Sequence, residues 1–505
     1  MLVLLQFDAA SLEMVEEMSS QGRLPHLQSL RERGTWQSLD CAATFLQSST
    51  YPTLYTGVDV REHGIYSTFP WSPSDQRVKH AHTFTKPRTL WERLTASGKR
   101  SLVIDPYISW APISMSGVFL SGFQFEDRMA LRSAFVPRAS ATTLSRSHGK
   151  PPELHDVYGR HDLDSLDEMA ARLAEGPHRA ATVVTSALSR ESFDLVWVNF
   201  AGSHKGGHHL WNAAASTGEV VNPERSAAIR GGLENIYVAI DAAIGEIVQS
   251  IPASSDVIVF SPTGMNANTS RADLLPGMLE AVLNPGSQRQ RKTSATGKAP
   301  VWKLRSAIPV GLRSRIAGAL PDSLVADLTT RLHMRADWKT TRAFTIPGEN
   351  KGYIRVNMKD RERQGIVSTA DFDELTGSII DGLMTFSDIE GSGAVTKVER
   401  TRDMAGGKEI SPLLPDLVVF WGDSPPVDMT GVVSSRYGEV RRTGIGSGRS
   451  GNHVDDAWAV LVPGESRLSA TTRPPRITDI AATACSLLGA DLNGLSGEPL
   501  LETQR

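Results

Sequence analysis

Short apolar runs alternate with amphipathic stretches along most of the chain, and this alternation restricts the fold more than any other feature. "LVLLQF" leads into "SLEMVEEMSSQ" and "LPHLQSLRERG", where Leu24, Leu27 and Leu30 recur at helical spacing and Gly34 supplies a stop. "TLWERLTASGKR" precedes the run "SLVIDP", "SLDEMAARLAEGPHRAATVVTSALSRE" precedes "DLVWVNF", and "LENIYVAIDAAIGEIVQSI" precedes "DVIVFS". Two later runs, "DLVVFWG" and "AWAVLVPG", come before a last helical stretch, "ITDIAATACSLLG". Such runs between helices fit strands buried on both faces. The pattern predicts an α/β fold with a central, mostly parallel sheet and helices on both sides.

The 505 residues could form two to four domains of ~150 residues, or one large core carrying a cap. Composition changes between Asn284 and Thr341, where the Arg-, Lys- and Ser-rich "SQRQRKTSATGKAP" is followed by "LRSRIAGAL" and "LVADLTTRLHM". We divide the chain into a first core part, 1–283, a helical cap insertion, 284–341, and a second core part, 342–505. A further polar stretch, Ser67 to Arg88, contains His80 and His82 and is expected to be loop.

Fifty-three Lys plus Arg against 56 Asp plus Glu give a net charge of −3, with no basic stripe, so no nucleic-acid partner is expected. Cys41 and Cys485 are the two cysteines, far apart in sequence, which argues against a disulfide framework and against a cysteine metal site. The opening "MLVLLQFDAAS" lacks the basic region of a signal peptide and meets Asp8 after a short apolar run; it reads as a first strand. No stretch approaches the ~20 apolar residues of a membrane span. A cytoplasmic protein with no membrane partner is expected, and homo-oligomerisation is left open.

In open α/β sheets, ligands gather at the carboxyl ends of strands. Asp8 follows "LVLLQF", His204 and His208 follow "DLVWVNF", "SPTGMNAN" follows "DVIVF", and "GIGSGRSGNHVDD" delivers His453 just before "AWAVLVPG". One carboxylate and three imidazoles suit Zn²⁺ and related ions. His204 and His208, four apart, share a face if the segment is helical, but Gly206-Gly207 disfavours regular helix, and a tight turn could also bring them together. The plain alternatives are a helix-capping Asp8 and histidines satisfied by ordinary hydrogen bonds. His209 reads as a packing or rim residue. "GIGSGRSGN" lacks the Lys-Ser/Thr ending of a P-loop and reads as a flexible carrier of His453. Arg449 and Lys205 could meet an anionic substrate, although exposed basic residues seldom have so specific a role.

Taken in order, "GRLPHLQSLRERGTW", "TYPTLYTGVDVREHGIY", "LWERLTASGKRSLVIDP", "RADWKTTRAFTI", "GYIRVNMKDRERQGIV", "LPDLVVFW", "GNHVDDAWAVLVPG" and the closing "ITDIAATACSLLGADL…LSGEPLL" resemble the type I phosphodiesterase/nucleotide pyrophosphatase family of the alkaline phosphatase superfamily. The likeness spans nearly the whole chain. It implies an alkaline-phosphatase-like fold and a two-metal site, usually zinc, with a Thr or Ser nucleophile that forms a covalent intermediate. Within the resemblance, Asp8 matches the first metal Asp. His208, with Trp211 after it, matches a metal His, His453 matches the C-terminal metal His, and His63 falls in a segment whose role is structural.

Three positions depart from the family pattern. His204 stands where the family has an Asp. Pro262-Thr263-Gly264 replaces Asp-His-Gly, removing two ligands of the second metal. Counting back from Thr56-Gly57 puts Gln47 at the nucleophile position; a one-residue slip puts Ser48 there, with Ser49 and Thr50 close by. Glutamine has no phosphorylatable hydroxyl. The resemblance so modified implies one ion, Zn²⁺ or another divalent metal, held by Asp8, His204, His208 and His453.

Three functions fit this reading. One is a metal-dependent hydrolase of phosphodiester or related anionic ester bonds in a small-molecule substrate. Another is a repurposed enzyme of the same fold that performs group transfer or elimination. The third is an inactive, ligand-binding member.

Overall fold

The computed structural model describes residues 1–41, 46, 49–109, 112, 115–127, 131–138, 147–154, 159–286, 337–348, 350–389, 391–407, 409–424, 429–442 and 447–504. Gln47 and Ser48 lie outside these residues, and so does nearly all of the expected cap between 284 and 341.

The apolar runs form strands, and among the described residues eight strands make the central sheet. In chain order they are β1 (Leu2–Phe7), β2 (Thr35–Leu39), β3 (Ser101–Ile104), β4 (Gly117–Ser121), β5 (Ala134–Val136), β6 (Leu195–Phe200), β7 (Asp256–Ser261) and β8 (Ala457–Val462). Across the sheet the order is β2-β8-β7-β1-β6-β3-β4-β5. The five strands from β7 to β4 are mutually parallel. Antiparallel pairing appears only toward the two edges: β8 against β7 and β2, and β5 against β4. Central β1 is buried along its whole length, and each fully buried Leu, Val or Phe there contributes roughly 1.5–3 kcal/mol. Gln6 is the polar exception, and its amide is used at the site described below.

Helices cover the sheet, as the periodicity predicts. Pro25–Arg33 buries Leu27 and Leu30, and Leu163–Leu188 packs against Pro223–Ser250. The polar Ser67 to Arg88 stretch is more ordered than expected, with a short hairpin of Trp71–Ser72 and Arg77–Val78 whose Trp71 is fully buried.

"DLVVFWG" joins a different layer. Leu417–Trp421 sits in a four-stranded antiparallel sheet with Ala343–Ile346, Gly352–Val356 and Val395–Arg400. Helices Leu275–Leu283 and Phe372–Leu383 pack there, forming a hydrophobic cluster of their own around Met278, Ile354, Ile379 and Val419. An apolar run buried on both faces reads alike in either sheet, because its period carries no information about its partners.

Candidate metal centre

Strands β1 and β6 are neighbours with Phe7 opposite Phe200, so the residues that follow them leave the sheet side by side. After β1 comes Asp8, then Ala9 at φ 47°; after β3 come Asp105 at φ 52° and Ile108 at φ 50°. Left-handed backbone at non-glycine residues is uncommon and gathers at functional sites.

After β6 the chain turns directly into a helix, Gly202–Leu210, every residue of which is buried. The expectation that Gly206-Gly207 disfavours a regular helix is therefore corrected. A Cβ on Gly206 would meet Ile236 Cδ1 at 2.9 Å and Leu233 Cδ1 at 3.0 Å, and one on Gly207 would meet Met265 Cγ at 2.8 Å. The two glycines let the helix pack against its neighbours. Helical spacing then puts His204 and His208 on one face.

His453 arrives from the other side. Its strand, Gly451–Val454, pairs antiparallel with Gly264–Ala267, His453 opposite Met265. Ser450 N–H donates to the His208 carbonyl at 2.7 Å, Asn350 Nδ2 to the His453 carbonyl at 2.9 Å, and Asn268 Nδ2 to the Arg449 carbonyl at 2.8 Å. The loop that reads as flexible in sequence is tied down at this end.

The three histidines converge, each offering a ring nitrogen within 4.8 Å of the others; among the described residues they are the group of His, Cys, Asp and Glu able to hold an ion. The Nε2 atoms of His204 and His208 are 3.1 Å apart. Two ligands on a tetrahedral zinc, at ~2.0–2.1 Å each, lie ~3.3 Å apart. His208 Nδ1 faces the Gly451 carbonyl at 2.9 Å, so it carries the proton and leaves Nε2 with its lone pair. His204 Nδ1 faces Asp8 Oδ2 at 3.1 Å and the Tyr51 hydroxyl at 2.7 Å; donation to these groups likewise leaves Nε2 unprotonated. Two lone pairs aimed at each other across 3.1 Å require a cation or a proton between them. His453 hydrogen-bonds the backbone of Gly264, and its Nδ1 is buried without a protein partner among the described residues. These donors fit a divalent ion of the Zn²⁺ type.

Electrostatics keep the His208 and His453 imidazoles neutral, as ligation requires. Burial, then Arg449 and the neighbouring histidines, pushes His208 well below its ordinary range. Burial, then His204 and Arg449, does the same for His453.

Asp8 lies at the Nδ1 side of His204, away from the nitrogens that converge. Its Oδ1 accepts from Gln6 Nε2 and from the Tyr51 hydroxyl, both at 3.0 Å. Tyr51, in the helix Thr50–Thr56, was not anticipated; nothing in "STYPT" distinguishes it. For Asp8 a signal existed, since Gln6 is the one polar residue of an apolar strand and shares a face with residue 8.

Thr263 is buried and its hydroxyl donates to the Val454 carbonyl at 2.8 Å. His209 is buried, not at a rim, with its ring edge-on to His161 at 4.7 Å. His63 is buried, its Nδ1 accepting from Ile65 N–H at 2.9 Å while Nε2 faces Thr53 Oγ1 at 2.9 Å. Lys205 is not an exposed basic residue: it donates to Asp127 at 2.8 Å, both side chains 2% exposed. A helix packed on all sides buries it, which its charge alone does not reveal. Among the described residues no helix is long and apolar enough to cross a membrane.

The family model described as type I phosphodiesterase / nucleotide pyrophosphatase matches residues 2–421, a span that includes Asp8, His204 and His208 and stops short of His453. A comparison with curated proteins returns no match. Among solved structures, phosphonoacetate hydrolase from Sinorhizobium meliloti 1021, in complexes with phosphonoformate and with phosphonoacetate, is 12% identical at a TM-score of 0.51; the match covers 97% of this chain and 95% of that one. Human ectonucleotide pyrophosphatase/phosphodiesterase 5 is 12% identical at a TM-score of 0.47, covering 98% and 97%. The similarity to the hydrolase shows a common fold.

Proposed function

Because the chain belongs to the type I phosphodiesterase/nucleotide pyrophosphatase family, we propose that it hydrolyses phosphodiester or related anionic ester bonds of a small molecule, using one divalent metal ion held by His204, His208 and His453. The observation that carries this reading is the convergence of the three imidazoles, with the Nε2 atoms of His204 and His208 3.1 Å apart. Three imidazole ligands leave a zinc-type ion an open position, the arrangement of catalytic rather than structural sites. Such an ion would supply Lewis-acid polarisation of the ester and a water acidic enough to react near neutral pH.

The protein's own contributions follow from its geometry. Arg449, close enough to His208 and His453 to depress both, brings positive charge for an anionic ester. The ring of Tyr107, 4.3 Å from that of His204, walls one side of the cluster. A single ion is favoured because Pro262 offers no donor and the Thr263 hydroxyl is engaged with Val454. With water as the attacking group, neither Gln47 nor Ser48 would be needed as a nucleophile.

Elemental analysis of the purified protein, with turnover of bis(4-nitrophenyl) phosphate, tests this. One ion per chain, turnover abolished by His208→Ala and retained by Ser48→Ala and Gln47→Ala, is expected. Two ions per chain would remove the mononuclear assignment, Ser48-dependent turnover would remove water as nucleophile, and absence of both metal and turnover would sink the reading.

A further inference from the structure

The hydrogen bonds around His204 give Asp8 a role other than ligation. His204 has one nitrogen, Nε2, toward His208, and the other, Nδ1, toward Asp8 Oδ2 and the Tyr51 hydroxyl. The Tyr51 hydroxyl donates to Asp8 Oδ1, leaving its oxygen lone pairs toward His204 Nδ1–H. Gln6 Nε2 supplies Oδ1 with a second donor, and the Ser203 hydroxyl donates to the Asp8 carbonyl at 2.6 Å. Asp8 and Tyr51 are both buried, the carboxylate completely.

We propose that Asp8 and Tyr51 are positioning residues for the metal centre: together they clamp Nδ1–H of His204, fix its tautomer and aim Nε2 at the ion, while Asp8 itself does not bind the metal. This rests on the three-histidine reading above. It changes the role that the family resemblance implies for the first-strand carboxylate. With His204 in place of the family's Asp, the carboxylate of residue 8 meets an imidazole N–H. Carboxylate partners of this kind orient metal-bound histidines, and their removal typically weakens metal binding by ~10–100-fold.

The test uses the purified full chain, stripped of metal and titrated with Zn²⁺ against a chromophoric chelator and with Co²⁺ by visible absorption. Asp8→Asn and Tyr51→Phe keep the shape of the side chains; His208→Ala removes a ligand. Both positioning variants are expected to bind one ion, ~10–100-fold more weakly than the wild type, with the wild-type cobalt band shape because the three nitrogen donors remain. His208→Ala should lose that band shape. Far-ultraviolet circular dichroism and the melting midpoint of the stripped proteins separate misfolding from lost positioning; a Tyr51→Phe protein of wild-type fold that binds as tightly as the wild type overturns the proposal. So does an Asp8→Asn protein whose cobalt spectrum changes as strongly as that of His208→Ala, because Asp8 is then a ligand. A wild-type chain that takes up no ion refutes the three-histidine reading itself, an outcome distinct from either of these.

Discussion

Replacing Gly451 by alanine separates the two elements that bring the histidines together. A Cβ built at Gly451 would stand 2.1 Å from the carbonyl oxygen of Gly207 and 3.0 Å from its carbonyl carbon. Close C···O contacts in proteins lie at ~3.3–3.6 Å, so the strand Gly451–Val454 and the helix Gly202–Leu210 must part by roughly 1.2 Å. No flexible side chain can absorb this, since the clash is with backbone. The same junction carries the bond from His208 Nδ1–H to the Gly451 carbonyl, 2.9 Å, and that from Ser450 N–H to the His208 carbonyl, 2.7 Å. Overpacking of this kind costs ~1–3 kcal/mol. Metal binding should suffer more than stability, because ligand distances tolerate only ~0.2 Å of error while His208 and His453 are moved by several times that. Urea unfolding of stripped protein, read beside a zinc competition titration, measures the two effects separately. Wild-type zinc affinity in a folded Gly451→Ala protein would refute the argument that this contact sets the spacing of the histidines.

Two further outcomes are expected. Burial holds the His63 imidazole down to about 3, so it is neutral in the folded state, whereas in the unfolded chain it takes a proton below about 6.5. Its contribution is present above that pH and is lost as pH falls toward 3, about 2 kcal/mol between pH 7 and pH 5. Asp105, pushed up by burial to about 6, acts in the opposite direction. Comparing urea unfolding of metal-free wild type and His63→Gln at the two pH values isolates the His63 part, and equal losses in both proteins would count against it. Lys205→Met removes the cation facing buried Asp127 and should destabilise the chain by roughly 3–5 kcal/mol; an unchanged unfolding midpoint with a raised KM would instead place Lys205 in substrate binding.

The mostly parallel centre of the main sheet was legible because its strands are apolar on both faces, a pattern that survives without knowledge of neighbours. That Asp8, His204 and His208 would lie together was legible for a related reason: polar residues that end a buried strand sit where the chain leaves the core, and these do so at adjacent strands β1 and β6. Legibility failed where a residue's surroundings come from distant sequence. Lys205 is buried by helix packing and by Asp127, 78 positions away. Tyr51 meets His204 across 153 positions, and "DLVVFWG" chooses its sheet through partners that its own period cannot encode.

By itself, the sequence of this protein determined the donors: imidazoles at 204, 208 and 453, no donor at Pro262, and a carboxylate at 8. Those are properties of residue type and of position at the end of an apolar run. Tertiary structure decided which donor atoms face one another. A ring nitrogen ligates or hydrogen-bonds according to what its other nitrogen meets. For His204 that partner is the Asp8–Tyr51 pair, and for His208 it is the Gly451 carbonyl. Both are supplied by elements remote in the chain, joined where the glycines of the helix and of the strand let backbones approach closely enough for three imidazoles to converge.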